Sequence, residues 1–214
     1  MTAETKIAPN GEKLIRYIAP QDIPRLGVKK GDKGGWIGLR VKIDVTAWVS
    51  GNAWVYGDAQ VSGNAWVSGD AWVCGDARVS GNAWVYGDAQ VSGNAWVYGD
   101  AQVSGNAWVS GDAWVSGDAR VYGDAQVSGD ARVYGNARVG KTMPNANRSD
   151  GYTFSIFNAK VGFCIIAGCR YFTSFKEARA HWKHRKGTAL GRETDMILDY
   201  LEGVKKLYKI GVKK

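Results

Sequence analysis

Cys164, Cys169, His181 and His184 form a C-x4-C-x11-H-x2-H series near the C-terminus. Thiolates and imidazoles are the ligands of tetrahedral zinc. This series is one residue short, in both the spacer and the His pair, of the Cys-Cys-x12-His-x3–5-His pattern that closes such a site. Two Cys five positions apart also point to opposite faces of a continuous strand. Joint ligation would need a bend at Ala167-Gly168. The expectation is a buried thiol and a surface His pair, with no metal and no other cofactor.

Oxygen ligands are more numerous. Nine Asp and six Asn each follow a Gly at six-residue intervals between Asn52 and Asn136. Stacked carboxylates such as Asp58 with Asp76, or Asp70 with Asp88, would suit calcium. The same residues serve equally well as turn formers after Gly, and no metal is assigned to them. The third group is aromatic and cationic. It comprises Trp48, Trp54, Trp66, Trp72, Trp84, Trp96, Trp108 and Trp114, together with Arg78, Arg120, Arg132 and Arg138, all at multiples of six from one another.

That spacing comes from an internal repeat. Val recurs at every sixth position from Val49 to Val139, Ala stands two residues before it, and Gly two residues after it as far as Gly135. The register reaches back to Ile37 and Ile43. In Ala-x-Val-x, Ala and Val share one face of a strand and the x residues share the other. Gly-Asn and Gly-Asp then turn the chain. A strand this short cannot bury itself, so each coil must stack on the next at about 4.8 Å. The result is a β-solenoid with a narrow Val/Ala interior, in which each buried Val contributes about 1.5–2 kcal/mol.

The unit Val-x-Gly-(Asn/Asp)-Ala-x resembles the hexapeptide repeat of left-handed parallel β-helices. The resemblance implies three hexads per triangular coil, a left-handed course, and about six coils spanning roughly 27 Å at the strand spacing. The whole arrangement is also similar to a family of uncharacterised phage and prophage hexapeptide-repeat proteins. The similarity rests on "VKKGDKGGWI" at 28–37, the hexad run, and "GCRYFTSFKEARAHW" at 168–182. It implies a mainly β fold: a left-handed parallel β-helix with an N-terminal cap and a small α+β C-terminal domain.

The expected organisation is a capping segment at 1–36, the repeat at 37–140, a linker at 141–151, and a basic domain at 152–214. In the last, "YTFSIF", "VGFCIIA" and "CRYF" read as strands, with "NAK" as a hairpin turn. Ser174 and Glu177 form a capping box opening a helix near Phe175. A second helix is predicted from about Thr194 to Tyr208, with Lys205, Lys206 and Lys209 suiting its C-terminal end.

Enzymes built on hexapeptide β-helices include acyltransferases, which use a His base, and carbonic anhydrases, which hold zinc on three His. The repeat contains no His. No catalytic residue is assigned, and the protein is expected not to be an enzyme.

With eighteen residues per coil, the outward positions fall into three stripes. The first is Trp48, Trp66, Trp84, Gln102, Arg120, Arg138. The second is Trp54, Trp72, Gln90, Trp108, Gln126. The third is Gln60, Arg78, Trp96, Trp114, Arg132. Stacked rings can stabilise a sheet through cross-strand pairs. A contiguous apolar surface also marks contact with a partner. The candidate binding residues are Trp48, Trp66, Trp84, Arg120, Arg138, Trp54, Trp72, Trp108, Trp96 and Trp114.

Charge is segregated. Residues 1–42 carry a net +5, residues 43–140 a net −6, and residues 141–214 a net +9. The expected partners are further copies of the chain, a host protein, or nucleic acid through residues 152–214. A glycan-binding role in a virion is an alternative. Three Cys fit a reducing compartment better than a disulfide framework. No apolar run is long enough to span a membrane. A cytoplasmic location is therefore expected, in the host cell if the chain is phage-encoded.

Overall fold

The structure is a computed structural model describing residues 4–141, 145–159, 162–168 and 170–211. Each hexad contributes one two-residue rung, and each Gly-Asn or Gly-Asp makes a corner. Eighteen rungs run from Trp36-Ile37 to Arg138-Val139 and form three parallel sheets of six rungs each. Partners in register are eighteen residues apart, as in Trp54 with Trp72 and Gln90 with Trp108. This is the six-coil parallel β-solenoid expected from the repeat.

Three hydrogen bonds per hexad join successive coils around Gln90. The Gln90 amide donates to the Ala107 carbonyl at 2.8 Å, Ser92 to Val109 at 2.9 Å, and Asn94 to Gly111 at 2.9 Å. Every Ala from Ala47 to Ala137 and every Val from Val49 to Val139 is buried. They make one continuous core along the axis.

A solenoid leaves unpaired strand edges at its ends, and these must be covered. At the start, β1 (Thr5–Ile7), β2 (Lys13–Ile18) and β3 (Lys33–Gly38) form an antiparallel meander, and β3 pairs in parallel with the Trp54–Val55 rung. Side chains satisfy carbonyls of the first coil. Arg16 donates to the Gly34 carbonyl at 2.8 Å and to that of Gly51 at 3.2 Å, and Arg25 donates to that of Thr46 at 2.7 Å.

At the other end, the Thr153–Ala159 strand pairs antiparallel with the last rung, so the C-terminal sheet continues a solenoid sheet. Period-two alternation gives this sheet two apolar faces. Phe157, Cys164 and Ile166 plug the solenoid core, while Phe154, Ile156, Ile165 and Ala167 pack under the two helices with Leu198 and Leu201.

Two local expectations need correction. The second helix, α2 (Ala189–Leu207), starts five residues earlier than predicted. Thr188 caps it, its hydroxyl accepting from the Gly191 amide at 3.0 Å, and this cap lies upstream of the apolar periodicity that located the helix. The segment assigned as a linker contains a strand, Asn145–Asn147, paired with Thr153–Ala159. It is tied down by buried Arg148, which binds Asp150 through two bonds of 2.8 Å and the Thr194 hydroxyl at 2.9 Å. The "NAK" turn lies partly outside the described residues, because Lys160 is not among them. The first helix, α1 (Phe175–His181), begins as predicted. The Ser174 hydroxyl accepts from the Glu177 amide, and the Glu177 carboxylate reaches back to the Thr173 amide at 3.0 Å. Among the described residues, no helix is long and apolar enough to cross a membrane.

Candidate binding faces of the solenoid

All three outward stripes form in the predicted register. On the first face, Trp48, Trp66, Trp84, Gln102, Arg120 and Arg138 are successive rung partners. The second face also takes in Trp36, ahead of Trp54, Trp72, Gln90, Trp108 and Gln126. Trp36 belongs by sequence to the capping segment at 1–36, because its hexad is degraded, although Ile37 carries the register. The third face runs from Lys42 through Gln60, Arg78, Trp96 and Trp114 to Arg132.

The expectation that these indoles all lie on an open surface is corrected at one end. Trp48 points outward but is only 4% exposed. It is roofed by Ala19, Ile23 and Val28 of the N-terminal segment and tilts against Tyr17 at 5.5 Å. Trp36 is covered by β2, with the Arg16 guanidinium 4.5 Å from its ring centre and the Lys6 ammonium equally close. These indoles join the cap to the solenoid. The leader carries enough apolar residues to cover one rung of a stripe, which the spacing of the repeat does not reveal.

Beyond the cap, ring geometry decides which surfaces are free. Trp54 and Trp72 stack at 5.4 Å and 8°, and Trp96 and Trp114 at 5.2 Å and 3°. Arg78 lies 4.8 Å from the Trp96 ring and Arg132 4.9 Å from the Trp114 ring. The third face is therefore a column of Arg, Trp, Trp and Arg whose ring faces are used internally. Such cation–π contacts contribute about 0.5–1 kcal/mol each at exposed sites. A nucleobase would meet ring edges there rather than flat surfaces.

The first face differs. Trp66 donates from Nε1 to the Ser50 hydroxyl at 2.9 Å and meets Trp84 edge to face at 5.2 Å. Trp84 is followed by Gln102, so the stack ends there. Trp84, Tyr86 and Tyr122 are all exposed on this face. Arg120 and Arg138 then sit side by side in register, with no acidic partner among the described residues. Like charges placed opposite each other are destabilising, so this end of the face carries an uncompensated positive charge. Trp108, the most exposed indole at 47%, stands alone on the second face between Gln90 and Gln126.

The corners carry amide–carboxylate ladders. Asn82, Asn94 and Asn106 each donate to the Asp eighteen residues on, Asp100, Asp112 and Asp124, at 2.9 Å. Among the described residues, no group of three or more His, Cys, Asp or Glu is arranged to hold a metal.

The near-zinc series is pulled apart. Cys164 is buried in the solenoid core, where desolvation pushes its thiol up to about 12 against a smaller opposing hydrogen bond with Tyr171. A thiol held protonated is a poor metal ligand. His181 is exposed, its ring lying against Phe172 and Trp182 at the edge of the other core, and Cys169 lies outside the described residues. Purified protein is expected to carry no stoichiometric zinc and to melt at the same temperature with and without chelator. One zinc per chain by elemental analysis would reverse this assignment.

Residues 59–75, 73–87, 89–101, 101–117, 113–129 and 125–141 match the YdcK beta solenoid repeat family. The match spans less than half of the chain and lies within the repeat, so it shows what the solenoid resembles. No curated protein matches the chain.

Proposed function

We propose that this chain is a non-enzymatic β-solenoid scaffold that offers its first face to a protein partner. Under the phage resemblance, that partner is a host protein captured in the host cytoplasm, as a counter-defence factor would do. The observation that carries this reading is the grouping of Trp84, Tyr86 and Tyr122 beside Arg120 and Arg138. Aromatic rings and Arg are the side chains that dominate protein interfaces. The rings supply apolar contact and the guanidinium pair supplies anchors for an acidic group. Past the Gln102 rung that ends the Trp stack, two Arg in register with no ring beneath them add nothing to a stabilising ladder. The solenoid fold and its repeat match support a scaffold or binding role in general.

The test separates surface from stability. Trp84→Ser with Arg120→Glu changes two exposed residues, so the circular dichroism spectrum and melting temperature should stay close to wild type. Partner retention should fall at least about tenfold, the loss typical of interface hot spots. Trp108→Ser, on the second face, serves as the control and should leave retention unchanged. Unfolding of the double variant would make the ladder structural. A folded double variant with undiminished partner retention would remove the first face from the function. Salt-sensitive binding of DNA or RNA by the same variants would move the function to the basic residues 152–214.

A further inference from the structure

Helix α2 is apolar on two sides. Its inner side, with Leu198, Leu201 and Val204, is packed against the C-terminal sheet. Its outer side carries Met196, Tyr200, Gly203 and Leu207, all exposed, with Met196 at 70% and Leu207 at 76%. The spacing of four, three and four is that of a helix–helix seam. Gly203 stands in the middle of this stripe, and among the described residues no atom beyond its own helical turns lies within 4 Å of where its Cβ would be. A mid-helix Gly weakens a helix by about 1 kcal/mol relative to Ala. Among the described residues nothing comes close enough to require it, whereas close approach of a second backbone would.

The charges on the same helix are polarised. Glu193, Asp195, Asp199 and Glu202, with Arg192 among them, lie in its first three-quarters, Lys205 and Lys206 lie in its last turn, and Lys209 follows just beyond. Arg179 is the shared partner of Asp195, Asp199 and Glu202, so a negative excess remains there. Arg192, Asp199 and Lys206 fall on one flank of the stripe at intervals of seven.

We infer that two copies of this chain dock through the outer face of α2 in antiparallel orientation, about a twofold axis between Tyr200 and Gly203. This arrangement layers Met196 on Leu207 of the second copy and seats the Tyr200 ring in the gap left by Gly203, twice each by symmetry. It sets Asp199 opposite Lys206 in both directions and lays each acidic stretch along the other's basic end. A parallel pairing would instead oppose the two acidic stretches and leave Gly203 facing Gly203. The helix macrodipoles also favour the antiparallel choice. The seam is the length of one helix, which suits a micromolar, reversible dimer rather than an obligate one.

The test is sedimentation equilibrium of the full chain from about 1 to about 100 µM. The expected result is a reversible shift from 23.2 kDa to twice that mass. Lys206→Glu should weaken the dimer at least about tenfold, and Asp199→Lys added to it should restore association, a rescue that simple loss of structure does not produce. Leu207→Glu should abolish the dimer while the circular dichroism spectrum is kept, because Leu207 is exposed in the monomer. A wild-type chain that stays monomeric throughout this range overturns the proposal. So does a dimer indifferent to Leu207→Glu, and if that dimer is instead lost with Trp84→Ser, self-association belongs to the first solenoid face.

Discussion

Val91→Asp is expected to cost more than about 4 kcal/mol, a large share of the 5–15 kcal/mol that holds a typical domain folded. Val91 is fully buried, and its rung partners are Val73 in the coil before and Val109 in the coil after. The interior there consists of Val and Ala side chains alone. A carboxylate in it finds no hydrogen-bond donor. Burying it charged is prohibitive, and burying it protonated still leaves an unsatisfied polar group. Solenoid stability is a sum over neighbouring coils, so a central lesion removes contacts on both sides. The control is one residue away: Gln90 points outward and is exposed, so Gln90→Asp should cost less than about 1 kcal/mol. Urea denaturation followed by circular dichroism measures both. Equal midpoints for Val91→Asp and wild type would mean that the Val column is not a core, and the solenoid assignment would fall with it.

The repeat was legible because each of its residues has a single geometric reason for its place. Small and β-branched side chains fill the inside at period two, Gly-Asn or Gly-Asp turns the corner, and the count of six closes on itself every third unit. The six-residue spacing fixed which residues face outward, and the three-unit coil implied by the hexapeptide resemblance then set the register of each Trp stripe. The environment of each Trp did not follow from these, because it depends on contacts between segments distant in sequence. Trp48 and Trp84 occupy equivalent positions in hexads that share the Ala-Trp-Val rung. One is buried because Ile23 and Val28 fold over it, and the other is exposed because nothing does. The same limit applies to the C-terminal segment. Its strands and first helix carry local signals, whereas the role of Cys164 as a plug in the solenoid core is set by the pairing of Thr153–Ala159 with the last rung. The outer stripe of α2 was present in the sequence as well. Ile197, Tyr200, Leu201 and Val204 read together as a single apolar side, and only the packing separates Tyr200 from the buried Leu201 and Val204.

Gly81→Ala is expected to be far more damaging than the same change at Gly129, and the difference measures how tightly the coils stack. Both glycines turn corners with left-handed backbone, at φ of 70° and 62°. An L-residue in that region costs about 1–2 kcal/mol, and both variants carry this cost alike. Their surroundings differ. A Cβ on Gly81 would lie 2.9 Å from the Gly99 amide nitrogen, 3.0 Å from its oxygen and 3.2 Å from its Cα, all backbone atoms. That backbone cannot retreat, because the Asn82 amide donates to the Gly99 carbonyl at 2.8 Å and Asn82 also donates from its side chain to Asp100 at 2.9 Å. Gly129 turns a corner of the final coil, where among the described residues no atom beyond its chain neighbours lies within 4 Å of its missing Cβ. Overpacking at a site that cannot relax costs a further 1–3 kcal/mol or so, so Gly81→Ala should exceed Gly129→Ala by about 2 kcal/mol in urea denaturation. Were the two to cost the same, the corner glycines would be there for their φ alone, and adjacent coils would be separated by more room than a methyl group needs.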